Sequence, residues 1–266
     1  MNYKLLAADM DGTLLNNDSV MTERTKRAVL AAIAKGVLFV PSTGRPLRGV
    51  AWLNALFPED LPFVIFNGAM AVTGKSKKIL YSQSLAYRHA KEIFDLGTAR
   101  DIPVIFWIDE RLYANRECEA TRMYQEITGA EMQVAPGMHG MEGQGITKMI
   151  WIAPPEEALR YQAELRDRFR GTVNCHTSRP YLLEFVDAGA SKARALEEIG
   201  SIYGIDKSEM IAVGDSYNDT SMLEYAGLGV AMGNAPDDIK KICQHTTLRN
   251  DEDGVAALIE HFILKG

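Results

Sequence analysis

Cysteine is scarce in this chain of 266 residues: there are three, Cys118, Cys175 and Cys243. The number is odd and no CxxC spacing occurs, so they read as free, mostly buried thiols of a reducing compartment. No uninterrupted apolar run reaches the length of a bilayer span, which argues against a membrane protein. Positive charge is not in excess. The formal net charge is -6 and the pI about 5.5, whereas a nucleic-acid backbone calls for a basic face, so nucleic acid is not an expected partner. The first apolar run begins almost at once, leaving no room for a signal peptide, and a soluble cytoplasmic protein is expected. There is no internal repeat and no low-complexity tract. With 47% hydrophobic and 24% charged residues, the composition is that of a globular protein. The length allows one large or two moderate domains.

The stretch around which the chain is organised is Tyr3-Lys4-Leu5-Leu6-Ala7-Ala8-Asp9-Met10-Asp11-Gly12-Thr13-Leu14-Leu15. Its apolar run predicts a buried strand that ends in two acids and a glycine. In open α/β sheets that end is where ligands sit. Acids spaced i and i+2, with Gly12 permitting a sharp turn, can address one point. One carboxylate there could bind a cation and attack an electrophile, and the other could handle a proton.

The same alternation continues. Thr22 reads as an N-cap, followed by a helix with Val29, Ala32 and Ile33 on one side. Val37-Leu38-Phe39-Val40 predicts a second strand ending in Pro41-Ser42-Thr43-Gly44-Arg45. A helix is expected from Pro46 to about Leu56, and Phe63-Val64-Ile65-Phe66 predicts a third strand ending in Asn67-Gly68-Ala69. Residues 71 to 81 read as a hairpin. A helix from about Tyr87 to Ala99 then leads into closely spaced strand runs broken by helices near 119–128 and 156–169, the pattern of an α+β unit with an antiparallel sheet. From Ser191 the βα alternation returns, with Met210-Ile211-Ala212-Val213 ending in Gly214-Asp215-Ser216-Tyr217-Asn218-Asp219. A fifth strand, Leu228 to Met232, and a helix from about Asp253 to Leu264 close the chain. The expected architecture is a doubly wound parallel, Rossmann-like α/β core of residues 1–82 and 188–266. An α+β cap domain, residues 83–187, is inserted into it.

Asp9, Asp11, Asp215 and Asp219 thus gather at one sheet edge, where their mutual repulsion calls for a hard divalent cation such as Mg²⁺. Thr43, Gly44, Asn218 and Lys192 supply donors and positive charge for a phosphoryl group. Lys192 stands at the start of a helix, where the dipole disfavours a cation and an anionic partner would account for it. Such a set suits in-line phosphoryl transfer. Taken singly, Thr43 also reads as a turn hydroxyl, Lys192 as a surface lysine and Asp219 as a helix N-cap. Arg45 either lies on the surface or reaches substrate. Lys148, His176 and Arg179 in the insertion are more often solvated than functional.

These residues also carry a resemblance. Asp9-Met10-Asp11-Gly12-Thr13-Leu14-Leu15 resembles motif I of the haloacid dehalogenase (HAD) superfamily phosphatases. Thr43-Gly44-Arg45 resembles motif II, Lys192 motif III, and Gly214 to Asp219 motif IV. Asn67-Gly68-Ala69 and the insertion between motifs II and III resemble the Cof-type subfamily, the sugar phosphatases above all. The resemblance implies that Asp9 is the nucleophile and that Asp11 protonates the leaving alcohol and then activates water. It implies Mg²⁺ held by Asp9, the Asp11 carbonyl and Asp215, with Asp219 one step removed or acting through water. It implies a phosphoryl group held by Thr43, Gly44, Lys192 and Asn218. Ser42 beside Thr43 offers a second hydroxyl, and choosing Thr43 rests on the family pattern. The expected substrate is a small phosphorylated metabolite. Phosphomutases and the phosphatases of sucrose and trehalose synthesis share the chassis. A phospho-accepting signalling module and a non-catalytic metabolite-binding protein are the readings of another class, and sustained turnover of p-nitrophenyl phosphate separates them from a phosphatase.

Overall fold

A computed structural model describes residues 3–265. They divide into two compact units. The first comprises the residues up to Gly44, Val50–Tyr81 and the residues from Ser191 on; the second comprises Arg45–Gly49 and Ser82–Ala190. Among the described residues no helix is long and apolar enough to cross a membrane.

The first unit opens with β1 (Leu5–Asp9), α1 (Glu23–Ala34), β2 (Leu38–Ser42), β3 (Pro62–Ile65), β4 (Met70–Thr73) and β5 (Ile79–Ser82). The second unit holds α2 (Tyr87–Ala99), β6 (Val104–Ile108), β7 (Arg111–Ala114), α3 (Glu119–Thr128), β8 (Met132–Val134), β9 (Ile146–Ile152), α4 (Pro155–Arg168), β10 (Val173–Arg179) and β11 (Leu182–Asp187). The chain then returns to the first unit with α5 (Lys192–Tyr203), β12 (Met210–Gly214), α6 (Thr220–Tyr225), β13 (Leu228–Ala231), α7 (Asp237–Ile242), β14 (His245–Thr246) and α8 (Gly254–Ile259).

The eight-stranded sheet of the first unit has the order β14-β13-β12-β1-β2-β3-β4-β5. Pairing is parallel from β14 to β3 and antiparallel between β3 and β4. β1 is central, and all five of its residues are buried, as a strand covered on both faces must be. Leu5 and Ala7 face a cluster with Ala195, Leu196 and Ile199 of α5 and Met222 and Leu223 of α6. α1 packs against β2 and α8, and Thr22 caps it by accepting a hydrogen bond from the Thr25 amide at 3.2 Å. The connections leave β1 toward β2 on one side and arrive through β12 on the other. The order therefore reverses at β1, and the carboxyl end of β1 is where a crevice opens in such sheets.

The six-stranded sheet of the second unit has the order β10-β11-β9-β6-β7-β8 and is antiparallel except for the β7–β8 pair. Phe106, Met149, Trp151, Leu183 and Phe185 form one apolar face beneath Ile93 and Phe94 of α2 and Tyr161 and Leu165 of α4.

Two expected helices take another form. Leu47–Ala55 is a 3₁₀ run; Gly49 in its middle costs an α-helix about 1 kcal/mol relative to Ala. The closing helix is α8 followed by a π-turn over Glu260–Leu264. β8, β14 and α7, all short, carry too few residues to show a period in the sequence.

Candidate active site

The site is built at the carboxyl end of β1. Asp9 is the last residue of that strand and only 5% exposed. Lys192, the first residue of α5, is fully buried and donates to Asp9 Oδ1 at 2.6 Å, to Asp219 Oδ1 at 2.6 Å and to the Ser42 carbonyl at 3.1 Å. Three partners match the three N–H groups of an ammonium. The cation at a helix start thus has two anionic partners, both carboxylates of the protein itself. Burial works against its charge, but Asp219 and Asp9 outweigh burial and hold the ammonium above the ordinary lysine range.

Gly12 makes the turn after β1 possible. Its φ is +83°, and a Cβ there would lie 2.5 Å from Asp215 Oδ2. Thr13 Oγ1 donates to Asp215 Oδ1 at 2.9 Å, and Asn234 Nδ2 donates to the Gly12 carbonyl at 2.8 Å. Motifs I and IV are therefore laced directly together. Thr13 stood within the motif as quoted, but nothing in the sequence links Asn234 to it.

Asp9, Asp215 and Asp219 each bring a carboxylate oxygen within 4.8 Å of the others. Asp11 is exposed and outside that trio, yet near enough for its charge to raise Asp215. Burial pushes the Asp215 carboxyl up to about 6; Asp219 and Asp11 add to the rise, while Thr13 and Lys192 oppose it. Burial also pushes Asp9 above the usual carboxylate range. Lys192 pulls the other way, and Asp219 and Asp215 add to the rise. Two carboxyls raised by burial and repulsion mark a site short of positive charge despite Lys192. An all-oxygen donor set of this kind fits a hard divalent cation.

Asp219 differs from the other two. It is fully buried. Its Oδ1 meets Lys192, and its Oδ2 accepts from the amides of Asp215 and Ser216, both at 3.0 Å. It makes no side-chain capping bond to α6, the helix behind it. Its carboxylate is fully engaged in holding Lys192 and the loop that carries Asp215.

Thr43 and Gly44 follow β2. Thr43 is buried, its amide donates to the Val64 carbonyl at 2.8 Å and its carbonyl accepts from the Asn67 amide at 3.0 Å. The neighbouring Ser42 hydroxyl is fully buried and has no hydrogen-bond partner among the described residues. Asn218 is exposed; its Nδ2 donates to Asn67 Oδ1 at 3.0 Å and its Oδ1 accepts from Ser216 Oγ at 2.5 Å. The structure therefore brings Asp9, Thr43, Gly44, Lys192, Asp215, Asn218 and Asp219 to one sheet edge. Arg45 falls in the stretch that belongs to the second unit and is half-buried.

Comparison with known proteins agrees. Residues 6–259 match the family described as haloacid dehalogenase-like hydrolase. The chain is 33% identical over 267 residues to "Putative phosphatase YxeH" of Bacillus subtilis, covering 98% of this chain and 99% of that protein. It is 30% identical to the 5-amino-6-(5-phospho-D-ribitylamino)uracil phosphatase YitU of the same organism, covering 97% of each. A crystal structure of a haloacid dehalogenase-like hydrolase from Bacteroides thetaiotaomicron superposes with a TM-score of 0.87 at 27% identity, over 98% of this chain and all of that one. The chain belongs to the haloacid dehalogenase-like hydrolases, among them to the phosphatases of the Cof type, and is a phosphoric monoester hydrolase.

Proposed function

We propose that this phosphatase acts on small phosphorylated metabolites, sugar phosphates foremost, with Mg²⁺ and through an aspartyl-phosphate on Asp9. The observation that carries the reading is the Lys192 ammonium clamped between Asp9 and Asp219, with a carboxylate oxygen of Asp215 within 4.8 Å of theirs. A carboxylate fixed at a strand end by one hydrogen bond is oriented to attack.

In the first half-reaction a carboxylate oxygen of Asp9 bonds to phosphorus and the bond from phosphorus to the ester oxygen breaks. Asp11, exposed two residues beyond Asp9, gives the leaving oxygen a proton. In the second, Asp11 takes a proton from water, the water oxygen bonds to phosphorus, and the Asp9 oxygen leaves as carboxylate. Thr43, Gly44 and Asn218 hold the phosphoryl oxygens, and Lys192 offsets charge through Asp9. Mg²⁺, held by Asp9, Asp215 and the Asp11 carbonyl, would neutralise phosphoryl charge; Asp219, with both oxygens engaged, acts one step removed. The second unit, which carries none of the acids, is read as the cap that selects substrate, and Arg45 as a residue with access to substrate. YitU is named for a phosphorylated ribitylamino-uracil, which supports a polyol or sugar phosphate as the substrate class.

Phosphate release from a panel of phosphorylated metabolites tests the reading. Turnover is expected with Mg²⁺ and not in excess chelator. Ca²⁺ should not replace Mg²⁺, because its larger coordination number draws the second oxygen of Asp9 away from attack. Full activity in chelator would reject the metal's role.

Asp11→Asn is expected to slow formation of the phospho-enzyme from a sugar phosphate by roughly 10²- to 10⁴-fold. p-Nitrophenyl phosphate, whose leaving group departs without a proton, should be far less affected. Equal losses in single-turnover phosphorylation would remove Asp11 from the role of acid.

The cation also predicts a pH dependence of stability. Asp215 titrates near 6 in the folded protein against an ordinary 3.8, so the folded state keeps a proton that the unfolded chain has released. Its contribution is present below the ordinary value and is lost as pH rises through about 6. Mg²⁺ competes with that proton, so it should raise Tm more at about pH 8 than at about pH 5. Equal shifts at the two would place the cation elsewhere.

A further inference from the structure

The turn after β3 takes no part in the roles given so far, yet it touches three of the segments that do. Phe66, Asn67 and Gly68 have φ of 52°, 56° and 94°, three consecutive residues in the left-handed region. Gly68 has no alternative there: a Cβ would lie 2.1 Å from the Ser191 carbonyl carbon and 2.4 Å from the Lys192 nitrogen. The turn therefore lies flush against the residue that starts α5 and clamps Asp9. The Asn67 amide donates to the Thr43 carbonyl at 3.0 Å. Its side chain lies over Gly44, since a Cβ on Gly44 would be 2.9 Å from Asn67 Oδ1. The same Oδ1 accepts from Asn218 Nδ2 at 3.0 Å.

We propose that Asn67 is a positioning residue for phosphoryl recognition, locking Asn218 to the Thr43-Gly44 loop so that their donors act as a unit. Asn218 is exposed and, among the described residues, anchored on two sides, by Ser216 Oγ at its oxygen and by Asn67 at its nitrogen. With one N–H spent on Asn67, the other is aimed. Without Asn67 the amide keeps only the Ser216 bond at its oxygen, and more of its ordering falls to the substrate. An asparagine suits the position because it tolerates left-handed backbone and carries an acceptor on a short side chain. The inference rests on reading Asn218, Thr43 and Gly44 as the phosphoryl-holding groups.

A double-mutant cycle tests it, with Asn67→Gly, Asn218→Ala and the pair. Glycine keeps the left-handed conformation, so Asn67→Gly removes the amide without straining the turn, and its Tm should stay within a few degrees of wild type. Two readouts are taken: kcat and KM on p-nitrophenyl phosphate, and calorimetric affinity for inorganic phosphate in Mg²⁺. Each single variant should weaken phosphate binding and lower kcat/KM by roughly 10- to 100-fold, the usual effect of removing a group that orients a ligand. The double variant should be no worse than the weaker single, because the two side chains act together. Wild-type phosphate affinity in Asn67→Gly, or losses that multiply in the double variant, would overturn the proposal. If the wild type binds phosphate but hydrolyses no ester, the phosphatase reading fails, while the cycle in phosphate affinity still decides the role of Asn67.

Discussion

Asp9→Asn is expected to give a folded protein whose turnover is lower by roughly 10⁴-fold or more, the scale seen when a nucleophile is removed. The substitution keeps shape and keeps an oxygen to accept from Lys192, which also retains Asp219 and the Ser42 carbonyl. It removes the charged oxygen that forms the covalent bond. Burial already disfavours the Asp9 charge, so losing that charge does not unfold the chain. Circular dichroism should be unchanged. A well-folded variant that keeps more than about a hundredth of wild-type rate would take the nucleophile's role away from Asp9.

Lys192→Ala should have the largest effect on stability. Removing the ammonium leaves Asp9 and Asp219 facing each other in a buried site, and breaking such a network by deleting one partner costs roughly 3–5 kcal/mol. For a chain of this size that is a fall in Tm on the order of 10 °C. The deficit should depend on pH. Burial already raises the Asp9 carboxyl and Lys192 is what pulls it back, so without the cation it rises further, and stability is present at low pH and lost as pH rises. The gap to wild type should therefore be smaller at about pH 5 than at about pH 8, and Mg²⁺ should narrow it. Wild-type Tm at pH 8 would mean that Lys192 does not hold the acids together.

Much of this was legible in the chain, because each part is local. The buried run before Asp9, the Thr22 cap and the helix over 119–128 follow from periodicity and capping within a dozen residues. What stayed hidden depends on contacts across the chain. Lys148 reads as solvated in the sequence. In the structure it is buried on β9 with its Nζ 2.5 Å from Glu184 Oε2 on β11, and Ser178 Oγ donates to the other oxygen of Glu184 at 2.6 Å. Burial opposes ionisation of Glu184, but Lys148 and His176 overcome it and hold the carboxyl below its ordinary range. No spacing rule pairs residues on strands that meet only after folding. Asp219 is a similar case. Its two oxygens serve Lys192 and two amides at once, a division that no sequence pattern could tell from a cap or a metal ligand. Asn67 stands out in the sequence as a turn residue and as part of the Cof-type resemblance, but with no role of its own, because its partners lie at 43 and 218.

The central claim is that phosphoryl transfer passes through Asp9. The direct measurement is to mix the protein with substrate and Mg²⁺, quench in acid during turnover, reduce the acyl phosphate with borohydride and map the modified peptide by mass spectrometry. Modification at Asp9, absent without Mg²⁺ and absent in Asp9→Asn, is the expected result. Sustained phosphate release with no acyl phosphate on the protein, or with the modification at another residue, would contradict it.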